Sequence, residues 1–186
     1  MHIVKSLCGT CAAVALVFAF GIGDALAAKK KKSRCKDGQP TEMASYKITK
    51  GENLDVQIAK PLTGQAGDPK AGLKWMVHRR LGNCIACHEV SKVKALAKPG
   101  DIKSLRSYGF HGAIGPTLDG INDRYTEGEI RMILVNPKKA FPDADTIMPS
   151  FHHKEGLHRV MKDCKDHVMM SAQQIEDIVA FLKTIK

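Results

Sequence analysis

The pentapeptide Cys84-Ile85-Ala86-Cys87-His88 decides how this 186-residue sequence is interpreted. A C-x-x-C-H run is the signature of covalent haem attachment. On a helix, the first, fourth and fifth residues of the run share one face. Both sulfurs can then reach the two vinyl groups of one haem, and the histidine can place an imidazole nitrogen on its iron. The run therefore predicts one haem c, attached through Cys84 and Cys87, with His88 as an axial iron ligand.

Two other kinds of site could use the same cysteine pair. A structural zinc site commonly takes four ligands in two spaced pairs, and no second C-x-x-C pair follows residue 27. A thioredoxin-like dithiol belongs to a βαβ unit, and no strand-like alternation precedes Cys84. A haem also suits the composition, because the chain has few aromatic residues, 5% in all, to fill a core.

The iron needs a second axial ligand, for which the sequence favours Met148. It stands before Pro149, which restricts the preceding backbone to extended conformations, and it is expected in a loop. A His/Met pair suits electron transfer. Because most methionines are packing residues, other candidates remain open. They are Met161, Met169, Met170, His78, His111, His152, His153, His158 and His167.

The first 27 residues are predicted to be a cleaved signal peptide. Lys5 gives a basic start, residues 11–20 are apolar, and Ala25-Leu26-Ala27 fits the small-x-small cleavage rule. The apolar run is shorter than the ~20 residues of a bilayer-spanning helix, so no membrane span is expected. The mature protein is expected to be soluble and exported, and therefore to lie in an oxidising compartment.

The formal net charge of +10 favours an anionic partner or surface. Part of it lies in Lys29 to Lys32, a run expected to be a solvated tail. A nucleic-acid partner is not expected, because the protein is predicted to be exported and its basic residues are not interleaved with aromatic ones.

Cys35 and Cys164 remain once the leader and the haem motif are set aside. Because two cysteines are left in a protein of an oxidising compartment, they are predicted to form a disulfide with each other. Free thiols, or a bond to a partner chain, remain as alternatives.

Three main helices are predicted. The first begins at Asp68-Pro69 and carries the haem cysteines at its C-terminal end. The second begins at Thr126 and ends before Pro137, and the last begins at Ser171. Each of the last two starts with a capping box.

The domain organisation follows from these helices. Residues 28–67 lack strong periodicity and are predicted to be an irregular N-terminal extension. Residues 68–186 are predicted to form one all-α domain, with long loops around a single haem and residues 89–120 mainly as loop.

These features together resemble the class I cytochromes c. The haem helix, the loop Ile114-Gly115-Pro116, the later Met148-Pro149 and the amphipathic C-terminal helix carry the resemblance. In that family the Gly-Pro loop lines the proximal haem face, and a backbone carbonyl there orients the ligating imidazole. The resemblance therefore implies that Gly115 and Pro116 contact the cofactor.

Longer motifs resemble the SoxX family, the monohaem subunit of thiosulfate-oxidising SoxAX cytochromes. The likeness extends from about residue 55 to the end of the chain. The motifs are Leu62-Thr63-Gly64, Gly67-Asp68-Pro69, residues 80–88, residues 112–116, Arg124-Tyr125, residues 146–151 and residues 174–180.

This resemblance implies an electron-accepting subunit of an L-cysteine S-thiosulfotransferase that is not catalytic alone. Its expected partners are a SoxA-like cytochrome in a heterodimer, a SoxYZ-like carrier protein, and a small soluble cytochrome c as electron acceptor. The alternatives are a free-standing periplasmic electron carrier, or a haem subunit of another dehydrogenase. A haem sensor or peroxidase would need a vacant sixth position on the iron.

Overall fold

The computed structural model describes residues 42–154, 164–165 and 167–186. These residues all belong to one compact unit. Several predictions lie outside them: the signal peptide at 1–27, the lysine run at 29–32, Cys35, Met161 and His158.

The fold is helical, which confirms the predicted all-α class. In chain order its elements are α1 (Pro69–Val77), a 3₁₀ helix (Cys84–Ala86), α2 (Ser91–Lys94), α3 (Ile102–Ser104), a π-helical turn (Leu105–Gly109), α4 (Ile121–Arg124), α5 (Glu127–Val135), α6 (Pro137–Ala140) and α7 (Ala172–Leu182). Within the described ranges, β-type pairing is limited to one isolated bridge between Thr49 and Gln57. None of the helices described is long and apolar enough to cross a bilayer.

The three longest helices begin where the sequence predicts. Asp68 caps α1 by accepting a hydrogen bond from the Lys70 N–H at 2.9 Å, and proline takes the first helical position. Helices α5 and α7 each begin with a complete capping box, at Thr126 and Ser171. These caps satisfy backbone N–H groups that a helix leaves without intrahelical partners.

The prediction that the haem cysteines lie at the end of the first helix is wrong. Helix α1 ends at Val77, and Cys84 begins a separate 3₁₀ helix. The chain turns back between them, with Asn83 in the left-handed region at φ 47°. Gly82 lies against the end of α1, where a Cβ would be 2.7 Å from the Trp75 carbonyl oxygen.

Residues 89–120 are less loop-like than predicted, because α2, α3 and the π-helical turn lie within them. These elements have three to five residues each. Elements of so few residues show no hydrophobic periodicity from which a sequence could reveal them.

Helix α1 packs closely against α7. A Cβ at Gly72 would collide with the Asp177 carbonyl and lie 2.8 Å from the Phe181 Cβ, so glycine allows the two helices to approach. The core around this contact is aliphatic and includes Met76, Ile175 and residues of α5.

A buried ion pair joins α5 to α7. The Arg131 guanidinium donates to both oxygens of Glu176 at 2.8 to 3.0 Å, and the two side chains are 0% and 2% exposed. Arg131 also donates to the Ile58 carbonyl at 2.7 Å, and Glu176 accepts from the Leu62 N–H at 2.8 Å. The irregular segment 42–67 is therefore held against the helices by buried charge.

Glu129 holds the same segment further along α5. One carboxylate oxygen closes the capping box on the Thr126 N–H, and the other accepts from the N–H groups of Glu52 and Leu54. Desolvation by burial raises the pKa of this carboxyl, but hydrogen bonds from Leu54, Thr126 and Asn53 outweigh it and lower the pKa to about 2.

Candidate functional site

One cavity within the described residues has a volume of about 940 Å³ and is lined mainly by apolar side chains. Residues of the three longest helices form its floor, among them Met76, Ile130 and Leu182. Cys84, Cys87 and His88 of the haem motif line it, and so does Met148. The fold thus brings together the attachment and ligand residues that the sequence predicts.

The haem motif is a tight turn held by its own backbone. The N–H groups of Cys87 and His88 both donate to the Cys84 carbonyl, at 3.1 and 2.9 Å. Cys84 and Cys87 are free thiols in the structure, and both are half-buried. The turn therefore presents two sulfurs and one imidazole to the same cavity.

The His88 ring is oriented by a backbone carbonyl. Its Nδ1 lies 2.6 Å from the Pro116 carbonyl oxygen. A carbonyl oxygen can only accept, so Nδ1 carries the proton and Nε2 is left with its lone pair. This arrangement fixes the tautomer and ring plane that an axial iron ligand needs.

Backbone hydrogen bonds place the Pro116 carbonyl. The N–H of Gly112 donates to Ile85, that of Gly115 to Cys87 and that of Leu118 to Glu89, all at 2.8 or 2.9 Å. These three hydrogen bonds therefore hold the loop 112–118 against residues 85–89.

Gly115 allows this loop to lie against the imidazole. A Cβ there would lie 2.7 Å from His88 Nδ1 and 2.9 Å from Nε2, closer than real Cβ contacts. Gly115 and Pro116 thus lie against the His88 ring, and their contact with the cofactor stays a prediction.

Arg124 supports the same loop, a role that the sequence did not reveal. Its guanidinium donates to the carbonyls of Asp119 and Thr117, each at 2.8 Å. The next residue, Tyr125, packs edge-on against Phe141 with ring centroids 6.2 Å apart, and both line the cavity. The motif Arg124-Tyr125 was the only signal for these residues, and it did not indicate what they do.

Met148 reaches the cavity from a loop, as expected. It is half-buried and packs against the core, and its N–H donates to the Thr146 hydroxyl at 3.2 Å. Three residues later the Phe151 N–H donates to the Leu134 carbonyl at 3.0 Å, which fastens the loop to α5. The ligand role of Met148 stays a prediction, as do those of the two cysteines and His88.

Two of the rival histidines have both ring nitrogens engaged in hydrogen bonds. His111 accepts from the Val90 N–H at 3.0 Å, and its other nitrogen faces the Tyr108 carbonyl at 3.0 Å. His152 accepts from the Ala44 N–H at 2.9 Å and donates to the Met170 carbonyl at 2.7 Å. Neither nitrogen of these rings is left for a metal.

The remaining rivals are placed differently. Met170 is buried in the core at 1% exposure and does not line the cavity, whereas Met169 does line it. His78 accepts from the Arg80 N–H and lies on a different, smaller cavity. His153 and His167 do not line the haem cavity either, so Met169 is the rival that a ligand test has to exclude.

The structure does not support a zinc site or a thioredoxin-like dithiol at the cysteine pair. No group of three or more His, Cys, Asp or Glu side chains within the described ranges could hold a metal ion. Desolvation by burial raises the pKa of the Cys84 thiol to about 12. A reactive dithiol needs a lowered pKa instead.

The described residues fit a haem c. One apolar cavity presents two thiols, the His88 imidazole nitrogen and the Met148 thioether, which together make up the donor set of a His/Met-ligated haem c. Cys84 and Cys87 would attach the group covalently, and His88 and Met148 would bind its iron.

Cys164 is disulfide-bonded in the structure. Its partner lies outside the described residues, and Cys84 and Cys87 are free. The pairing with Cys35 stays a prediction.

Comparison with known proteins agrees with this geometry. A sequence model of the family "Cytochrome c" matches residues 79–186. The chain is similar to a chain of the crystal structure of SoxXA from P. pantotrophus, with 32% sequence identity and a TM-score of 0.58. That likeness covers 78% of this chain and 98% of the other. Comparison with curated protein sequences gave no match. The chain belongs to the cytochrome c family, and within it to the SoxX-type cytochromes.

Proposed function

We propose that this chain is the electron-transfer subunit of a SoxAX-type L-cysteine S-thiosulfotransferase in the periplasm. The observation that carries the proposal is the meeting of the haem motif, the carbonyl-held His88 and Met148 at one cavity. It occurs in a chain that is similar to SoxXA over almost the whole length of the matched chain.

The reaction explains why an electron acceptor is needed. Joining a carrier cysteine thiol to thiosulfate through a new S–S bond oxidises the two sulfur partners together. It releases two electrons and one proton. A single haem c supplies a site that takes one electron at a time, and a His/Met ligand pair favours electron transfer over gas binding.

The chain's own residues hold that site in one geometry. Pro116 fixes the His88 tautomer, Gly115 admits the ring, and Arg124 holds the loop carbonyls. A rigid ligand set keeps the reorganisation on electron transfer small. No cysteine of this chain is proposed as an iron ligand, so the sulfur chemistry is assigned to the partner.

Three partners follow from this role. A SoxA-like cytochrome would form the heterodimer and handle sulfur, a SoxYZ-like carrier would bring the reacting cysteine, and a small soluble cytochrome c would take the electrons away. Export to the periplasm is supported by the composition of residues 1–27, which fits a cleaved signal peptide.

Co-expression with a SoxA-like cytochrome tests the proposal. The two mature proteins should purify as a stoichiometric heterodimer, and thiosulfate should reduce this chain's haem only when the carrier is also present. A carrier whose reacting cysteine is replaced by serine is the control, and it should give no reduction. Purification as a lone monomer, together with no carrier-dependent reduction, would instead favour a free-standing electron carrier.

A further inference from the structure

A second cavity, of about 520 Å³, lies between the end of α1 and residues 103–108. Lys74 and Arg79 line it from the α1 side, and Lys103 and Arg106 from the other. No carboxylate lines it. The four side chains bring four positive charges to one concave surface.

These charges have no counter-ion within the described part of the chain. The structure pairs none of the four side chains with a carboxylate. Lys74 lies 4.8 Å from the centroid of the Trp75 ring, a cation–π contact that leaves its charge in place. Asp101, the acid nearest in sequence to Lys103, caps α3 through one carboxylate oxygen and forms no ion pair with that lysine.

The wall also carries neutral donors. Ser107 and Tyr108 line the cavity with hydroxyl groups. Guanidinium groups bind oxoanions through two parallel hydrogen bonds, and ammonium groups add point charges. A concave surface lined by one sign of charge concentrates ions of the opposite sign.

We propose that this pocket binds a small divalent oxoanion of the sulfate and thiosulfate class. In naming thiosulfate, the inference rests on the proposed function and deepens it: the pocket would hold the reaction's anion on this subunit. Binding of sulfate by the isolated chain depends on the pocket and not on the proposed function.

The pocket adjoins the haem cavity, because Arg79 lines both. An anion paired with Arg79 would reduce the positive potential beside that cavity. The oxidised iron carries one more positive charge than the reduced iron, so a bound anion stabilises the oxidised state. The reduction potential should therefore fall when the pocket is filled.

Titration of the oxidised, matured chain with sodium sulfate tests the site. Calorimetry at constant ionic strength, set with sodium chloride, should show saturable binding to one site. The double variant Lys103→Gln/Arg106→Gln should weaken that binding about tenfold or more, because it removes two charged donors. The control Lys70→Gln removes a charge from α1 outside the pocket and should change the binding less than about twofold.

The outcomes separate the possible ligands. A sulfate-dependent fall in reduction potential that disappears in the double variant supports the site, and tighter binding of thiosulfate than of sulfate identifies the anion. Equal weakening in Lys70→Gln would show a general charge effect and overturn the proposal. So would binding of a poly-glutamate peptide without binding of either anion, which would indicate an acidic protein segment. A chain that binds sulfate but forms no heterodimer would overturn the proposed function and leave the pocket in place.

Discussion

Replacing Gly115 by alanine should disturb the His88 ligand without touching the cysteines. The new Cβ would lie 2.7 Å from Nδ1 and 2.9 Å from Nε2, whereas ordinary contacts begin at 3.4 Å. The new Cβ would come closer still to the ring carbon Cε1, so the ring or the loop must move by about 1 Å. The Nδ1 contact with the Pro116 carbonyl, now 2.6 Å, would lengthen past the usual limit of a hydrogen bond.

The cost can be estimated from these contacts. Overpacking in a closely packed site costs about 1–3 kcal/mol, and the lost hydrogen bond adds about 1 kcal/mol. Gly115→Ala should therefore lower the free energy of unfolding of the matured protein by about 2–4 kcal/mol. Loss of the Nδ1 hydrogen bond also makes the imidazole a weaker donor, so the reduction potential should rise.

Chemical denaturation and redox titration of the matured protein measure both effects. The matched control is Gly109→Ala, whose Cβ would meet only the side chains of Leu105 and Ala97, at 3.3 and 3.5 Å. That variant should keep the wild-type stability and potential. If Gly115→Ala is as stable as Gly109→Ala and has the wild-type potential, the loop does not position His88 and the reasoning is refuted.

Two further predictions concern the buried charges that hold the fold together. The pKa of Glu129 is lowered to about 2, so its carboxylate stabilises the fold above about pH 4.5 and this contribution is lost as the pH falls towards 2. Denaturation at a series of pH values should show this loss of stability in the wild type. If a Glu129→Gln variant lost the same amount of stability over the same pH range, Glu129 would not be its source. Glu176→Gln leaves the Arg131 charge buried and should cost about 3–5 kcal/mol in unfolding free energy. Glu127→Gln removes an exposed partner of the same guanidinium and should cost about 1 kcal/mol or less; equal costs would refute the role of burial.

Local signals in the sequence predicted most of the helical framework. The caps at Thr126 and Ser171 depend on residues three positions apart, and the haem motif spans five residues. All the residues of such a pattern lie within a few positions of each other, so the sequence alone reveals it. The end of α1 at Val77 was missed, because it depends on the turn at Asn83 and on packing against the Trp75 carbonyl.

Long-range pairing of polar groups could not be predicted. Glu176 and Arg131 are charged residues, which ordinarily indicate a solvent-exposed helix face. Apart from the exposed Glu127, their partners in the fold lie 45 to 114 residues away along the chain. Glu129 was recognised as a capping residue, but its second oxygen binds a loop 75 to 77 residues earlier.

His152 is another residue whose long-range partners the sequence did not reveal. The sequence left it among the possible iron ligands. In the structure it is fully buried and joins the Ala44 N–H to the Met170 carbonyl. Burial lowers its pKa, and a neutral ring is the form that can both donate and accept. Only the packing of three distant segments assigns it this structural role.

The sulfur-to-iron charge-transfer band of the oxidised, matured protein reports whether Met148 binds the iron. We expect the band to be present in the wild type, to be lost in Met148→Ala and to persist in Met169→Ala, whose side chain lines the same cavity. A band that survives in Met148→Ala, or that disappears only in Met169→Ala, would contradict the assignment of Met148 opposite His88.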